Sequence, residues 1–124
     1  MSADGKKDTV LVVDDDDLVR KVVRAVLEAD DYEVLEAPSG ARALEMIAET
    51  KPRLVILDVM MPGLDGVDVC RQMDHEGARV LMLTARDDLE TEDASRQAGA
   101  DDFLGKPFSS LELLEHVKKL VGAQ

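Results

Sequence analysis

Three short runs of branched apolar residues punctuate the chain: Val10-Leu11-Val12-Val13, Leu54-Val55-Ile56-Leu57 and Val80-Leu81-Met82-Leu83. Consecutive apolar positions without polar alternation fit strands buried on both faces, as in a parallel sheet covered by helices. Two more polar segments, Tyr32 to Ala37 and Asp102 to Leu104, fit edge strands. Between these five the apolar period lengthens to that of a helix. Leu18, Val19, Val22, Val23, Val26 and Leu27 form one stripe, and Ala41, Leu44 and Ile47 a second. Val69 and Met73 mark a third helix, with Asp65 as its N-cap. A weaker fourth runs from Leu89 to Ala98 and stops at Gly99. Ser109-Ser110-Leu111-Glu112 opens a fifth with capping-box spacing, continued by Leu111, Leu114, Val117 and Leu120.

Strict alternation of strand and helix predicts an α/β fold of the (βα)5, flavodoxin-like type. It has one five-stranded parallel sheet with helices on both faces. The three fully apolar strands belong in the middle and the two polar ones at the edges. Right-handed crossovers then favour the order 2-1-3-4-5. In such sheets ligands bind beyond the carboxyl ends of the strands where the order reverses, here between the first and third strands. The domain is expected over residues 9–122, after a polar, flexible tail over residues 1–8.

Composition narrows the function. At 124 residues the chain is one ordinary domain. It carries 27 acidic against 15 basic residues, a formal charge of −12. That surface repels phosphate backbones and anionic lipid, so direct nucleic-acid or membrane binding is not expected. No apolar run approaches the ~20 residues of a membrane span, and Met1 to Asp8 lacks the apolar core of a signal peptide. A cytoplasmic location follows as the expectation. The lone Cys70 excludes an internal disulfide and reads as a small, partly buried helix residue. With 2% aromatics, stacking-type recognition of bases or sugars is not expected.

The chemistry collects at one end of the expected sheet. Strand 1 ends in Asp14-Asp15-Asp16-Asp17, strand 3 in Asp58, strand 4 in Thr84-Ala85, and Lys106-Pro107 follows strand 5. Several carboxylates so close disfavour one another's ionisation, and a cation must offset them. An oxygen-only ligand set suits Mg²⁺. No His or Cys pattern supports zinc or copper. Asp16 and Asp17 read as the first turn of helix 1, where carboxylates favour the helix dipole. Asp101-Asp102 reads as turn and rim charge, and His75 and His116, without a partner pattern, are expected to face solvent.

Four pieces, each at a strand end, carry a family resemblance: Val12-Val13-Asp14-Asp15; Leu57-Asp58-Val59-Met60-Met61-Pro62-Gly63-Leu64-Asp65-Gly66; Leu83-Thr84-Ala85; and Gly99-Ala100-Asp101-Asp102-Phe103-Leu104-Gly105-Lys106-Pro107-Phe108. From Val10 to Val121 the chain resembles the CheY-like receiver domain of two-component response regulators. The resemblance implies that Asp58 is the acceptor of a phosphoryl group, forming 4-aspartylphosphate. The donor would be a phosphohistidine on a sensor histidine kinase or phosphotransfer protein. It implies that Asp15 holds Mg²⁺ directly and Asp14 partly through water, with Asp58 and the Met60 backbone carbonyl as further ligands. Lys106 would bridge to the acceptor and then the phosphate, and Thr84 would donate a hydrogen bond to a phosphate oxygen. Phe103 takes the position of the switch aromatic, often Tyr. Lacking the hydroxyl, it would switch by packing alone. Lys106-Pro107 would be a cis bond.

The general chemistry agrees. A carboxylate is a usable nucleophile toward phosphorus, and phosphoryl transfer needs mainly positioning and charge neutralisation. The implied protein is a phosphorelay signalling domain, not an enzyme, although it assists its own phosphotransfer and dephosphorylation. Its response would move the face built by the fourth helix, fifth strand and fifth helix toward a downstream effector or output domain. Receivers that carry winged-helix DNA-binding domains resemble it over Gly99 to Phe108 and dimerise through that face using Arg on the fifth helix. This chain has His116, Lys118 and Lys119 there, so only a weak homodimer is implied. The alternative is a receiver excised from a larger transcriptional regulator rather than a stand-alone one. An aspartyl-phosphate phosphatase needs a second Asp two residues after the nucleophile, where Met60 stands. A flavin carrier would find its phosphate repelled by Asp14 to Asp17. A degenerate docking module would not need the complete acidic pair, acceptor, Thr and Lys.

Overall fold

The computed structural model describes residues 7–85 and 88–122. Of the tail expected over residues 1–8, residues 1–6 lie outside the described residues. Strands and helices alternate: β1 Thr9–Val13, α1 Asp17–Ala29, β2 Glu33–Ala37, α2 Gly40–Thr50, β3 Leu54–Asp58, α3 Gly66–Gln72, β4 Arg79–Ala85, α4 Leu89–Ala98, β5 Asp102–Lys106 and α5 Ser110–Gly122. The sheet order is β2-β1-β3-β4-β5, with every pair parallel.

Each strand's alternate side chains enter opposite faces, which divides the interior in two. Leu11, Val13, Val55, Leu57, Val80 and Met82 meet Ala43 and Ile47 of α2 and Val69 and Cys70 of α3. Val10, Val12, Leu54, Ile56, Leu81 and Leu83 meet Val23 and Leu27 of α1 and Leu113, Val117 and Leu120 of α5. The central strands therefore each carry four consecutive buried apolar residues, whereas β2 and β5 are buried at only some positions.

The caps form as their residue types require. Asp65 accepts the Asp68 N–H at 2.9 Å while Asp68 accepts the Asp65 N–H, a reciprocal capping box. Ser109 and Glu112 make the same exchange at the start of α5. Gly99 ends α4 at φ 111°, a left-handed conformation that a side chain would strain.

The helix stripes differ from expectation in detail. Leu18 and Val22 of α1 are exposed, and so is Leu111 of α5, whose core position is taken by Leu113. Ala41 is exposed while Ala43 is buried. The six-residue stripe on α1 is wider than the face the sheet covers, so its flank remains in water. Both histidines also depart from the expectation of free solvent-facing rings. His75 Nε2 lies 2.6 Å from the Cys70 carbonyl, and His116 Nδ1 lies 2.8 Å from Asp102 Oδ2. Each partner is set by a turn or a neighbouring strand that local spacing does not reveal. Cys70 is fully buried rather than partly so.

Candidate functional site

Parallel register brings the strand ends together. Val13 pairs with Leu57, so Asp14 and Asp58 leave neighbouring strands at the same level. Asp58 pairs with Leu83, one residue before Thr84, and Ala85 pairs with Lys106. The four segments singled out in the sequence thus finish side by side at one edge.

The carboxylates form a compact group. Asp14, Asp15 and Asp58 each offer an oxygen within 4.8 Å of the others. Asp14 and Asp58 are almost wholly buried, 1% and 4% exposed, whereas Asp15 is exposed. Lys106 Nζ reaches into this group, 3.0 Å from Asp58 Oδ1 and 3.6 Å from Asp14 Oδ2. The Met60 N–H donates to Asp58 Oδ1 at 3.3 Å, while the Met60 side chain is exposed. Thr84 is buried at the end of β4. Asp16 caps α1 through the Leu18 and Val19 N–H groups, and Asp17 lies in its first turn, so neither joins the acidic group.

Asp14 is electrostatically unsettled. Burial pushes its carboxyl above the ordinary range; the Asp16 N–H opposes that, the Asp58 charge adds to it, and Lys106 opposes it. Its Oδ1 accepts the Asp16 N–H at 2.9 Å, and its Oδ2, also buried, has no hydrogen-bond partner. An orphaned buried carboxylate oxygen beside two more carboxylates is the donor set of a hard divalent cation. The residues present therefore fit such an ion.

Two contributors were not assigned roles from the sequence. Gly66 opens α3 directly behind Asp58: a Cβ there would fall 2.5 Å from the Asp58 carbonyl oxygen, so only glycine lets the helix start this close. Arg20, hidden in the apolar stripe of α1, is buried and donates from Nη1 to the Asp14 backbone carbonyl at 2.5 Å. The spacing of charged residues on an amphipathic helix gives no sign of such an inward guanidinium. Phe103 is half-buried against the α2–α3 side of the core, with the Arg96 guanidinium 4.6 Å from its ring centroid. Asp101 and Asp102 take the rim roles expected of them. Asp101 accepts the Val80 N–H at 2.8 Å, and Asp102 faces His116 and Lys119.

Residues 10–118 match the model of the response regulator receiver domain. The chain is 47% identical over 114 residues to response regulator MprA of Mycobacterium sp. (strain KMS), covering 90% of this chain and 50% of that one. It therefore spans about half the length of the curated relatives it matches. Among solved structures, one assigned to a response regulator of Chloroflexus aurantiacus J-10-fl superposes with a TM-score of 0.88 at 41% identity, covering 95% of this chain and 100% of that one. The receiver domain of NtrX from Brucella abortus superposes with a TM-score of 0.86 at 30% identity, covering 93% and 99%.

Proposed function

The chain belongs to the response regulator receiver domain family and serves phosphorelay signalling rather than catalysis, and on that premise we propose how its own residues do so. Asp58 is the acceptor. One of its carboxylate oxygens attacks the phosphorus of a phosphohistidine on a sensor histidine kinase or phosphotransfer protein. The new O–P bond forms as the P–N bond breaks, and the electron pair leaves on the imidazole nitrogen. The observation that carries this reading is the Lys106 ammonium 3.0 Å from Asp58 Oδ1, beside a buried Asp14 Oδ2 that accepts no hydrogen bond.

Asp14, Asp15, Asp58 and the Met60 carbonyl are the proposed ligands of Mg²⁺, Asp15 directly and Asp14 partly through water. When bound, the ion supplies charge neutralisation at the phosphoryl oxygens. Lys106 holds the acceptor in place and then follows the phosphate. Thr84 donates its hydroxyl to another phosphate oxygen. Phe103, half-buried, repacks by shape alone as the second switch residue. Exposed Leu18, Met60 and Leu111 each stand in the first turn or loop after a strand's carboxyl end, which suits them to contact the donor.

The proposed domain spans residues 9–122. Its output is a downstream effector or a domain of a longer chain, reached through α4, β5 and α5. His116 and Lys119 are both turned onto Asp102 of the same chain, which supports at most a weak homodimer on that face. No helix among the described residues is long and apolar enough to cross a membrane. A cytoplasmic site of action is proposed from the family's signalling role and the proposed donors.

The test is a Mg²⁺ titration with and without beryllofluoride, followed by amide chemical shifts. Mg²⁺ and the phosphoryl mimic are expected to bind cooperatively, with shifts centred on Asp14, Asp15 and Asp58. Shifts indifferent to Mg²⁺, or centred elsewhere, overturn the site.

A further inference from the structure

Arg20 is the one buried cation among the described residues. Its guanidinium is engaged on three sides. Nη1 donates to the Asp14 backbone carbonyl at 2.5 Å, Nε to Glu36 Oε1 at 3.0 Å, and Nη2 to Asp17 Oδ1. Glu36, on edge strand β2, is held in turn by Arg24 Nη1 at 2.8 Å. The fork therefore ties the end of β1 to the first turn of α1 and to β2.

The consequence falls on Asp14. Its N–H donates to the Ala37 carbonyl at 3.3 Å, its carbonyl accepts from Arg20, and its Oδ1 accepts from Asp16. Of its four polar atoms only Oδ2 is left without a hydrogen bond. Both backbone polar groups are thus clamped from the β2 side, directly by Ala37 and through Glu36 by Arg20. The side chain has one orientation in which to present its remaining oxygen.

We infer that Arg20 is a positioning residue for the divalent-cation site. By holding the Asp14 carbonyl it fixes the direction in which the Asp14 carboxylate is offered, without itself touching the cation or the phosphoryl group. The inference rests on the reading of Asp14, Asp15 and Asp58 as that site. A planar fork with several donors suits the task better than an ammonium.

The sign of the effect separates positioning from simple charge. A guanidinium close to a cation site repels the cation, so losing only its charge tightens Mg²⁺ binding. Losing its hold on Asp14 loosens it. Outer-shell partners of metal ligands typically change affinity 10–100-fold. The experiment measures the Mg²⁺ dissociation constant of the full chain by amide-shift titration, with a thermal melt in chelator as a check on folding. Arg20→Met is expected to weaken Mg²⁺ about tenfold, the low end of that range. Arg20→Lys, with one donor able to reach the carbonyl, recovers part of the loss. Glu36→Gln, which keeps Arg20 but removes its charged anchor, weakens Mg²⁺ by less, in a direction that loss of the carboxylate charge shares, so Arg20→Met alone decides the sign. A purely structural role lowers the melting temperature and leaves the constant of the folded protein unchanged, which overturns the inference. So does Arg20→Met binding Mg²⁺ as tightly as the unaltered protein or tighter. If Arg20→Met does not fold, an unchanged constant in Glu36→Gln overturns it instead. Asp15→Asn serves as the separate control. If Asp15→Asn binds Mg²⁺ normally, the cation-site reading itself fails. If Asp15→Asn loses binding while the Arg20 variants keep it, only the role of Arg20 fails.

Discussion

Lys106 Nζ lies 3.0 Å from Asp58 Oδ1, joining two residues 48 positions apart. One ends β5 and the other ends β3, with β4 between them in the sheet. The ammonium therefore spans an intervening strand and ties the loop before α5 to Asp58. Lys106→Ala is expected to leave some labelling of Asp58, because the cation proposed at Asp14 and Asp15 would still neutralise the other side. The response to beryllofluoride at Ala85, Phe103 and Leu111 should collapse, because nothing then pulls β5 and α5 toward the phosphate. Amide shifts of both proteins, with and without beryllofluoride, decide it. A full set of shifts in the variant means that the signal travels by another route, such as the loop from Met60 to Gly63.

Asp58→Asn should end formation of an acid-labile, base-labile acyl phosphate from acetyl phosphate while leaving the fold intact. The amide is nearly isosteric but a poor nucleophile. In the metal-free protein the change also removes a charge beside buried Asp14, whose carboxyl is already pushed up by burial and by Asp58. Lys106 keeps Asp14 as a neighbour at 3.6 Å. The expected gain is on the order of 1 kcal/mol, the scale of one pKa unit. Urea denaturation in chelator measures it. A less stable variant would mean that the lost Asp58–Lys106 pair outweighs the relieved repulsion.

The architecture was legible because it rests on local pattern. Four unbroken apolar residues in β1, β3 and β4 call for cover on both faces, and polar edges with right-handed crossovers then favour the observed order. Asp65, Ser109 and Gly99 declared the helix ends by residue type and spacing. The acidic group was legible because each member closes a strand, so the sheet itself assembles it. What pattern could not reveal was decided by partners that meet only once strands and helices have taken their places. Arg20 occupies a stripe position and turns inward because Asp14 and Glu36 arrive from two strands. Gly66 reads as one more turn glycine until the Asp58 backbone is found 2.5 Å from where its Cβ would stand. Leu18, Val22 and Leu111 satisfy a helical period but exceed the width of sheet available to cover them.

Asp102 gives the acid limb of stability a definite sign. Burial acts to raise its carboxyl, but the hydrogen bond from His116, the Phe103 N–H, and the charges of His116 and Lys119 outweigh it, so the net direction is downward from 3.8. A carboxylate more acidic when folded contributes stability above its unfolded value and loses that contribution as pH falls through the folded one. Asp102→Asn should therefore cost about 1 kcal/mol or less near neutrality, given partial exposure, and flatten the loss of stability below about pH 4. Urea midpoints between pH 7 and pH 3 test this. A variant whose acid limb parallels that of the unaltered protein shows that Asp102 does not contribute to it.

Cys70 should be inert until the fold opens. It lies on α3, fully buried, with Sγ 3.5 Å from the Ala98 carbonyl at the end of α4. Its thiol is pushed up to about 11, chiefly by burial and further by the Asp101 charge, with Arg71 opposing. The thiolate is the reactive form, so at pH 8 only about one molecule in a thousand presents it. Burial then withholds even that fraction from reagent. Incubation with a disulfide reagent at pH 8 should leave the folded protein unlabelled over a time in which the guanidinium-unfolded chain reacts to completion. Between these limits, the rate in low denaturant reports how often α3 and α4 part. If it tracks global unfolding, the two helices belong to the same cooperative unit as the sheet. Rapid labelling without denaturant means that the α3–α4 contact opens locally, beside the loop that follows Asp58.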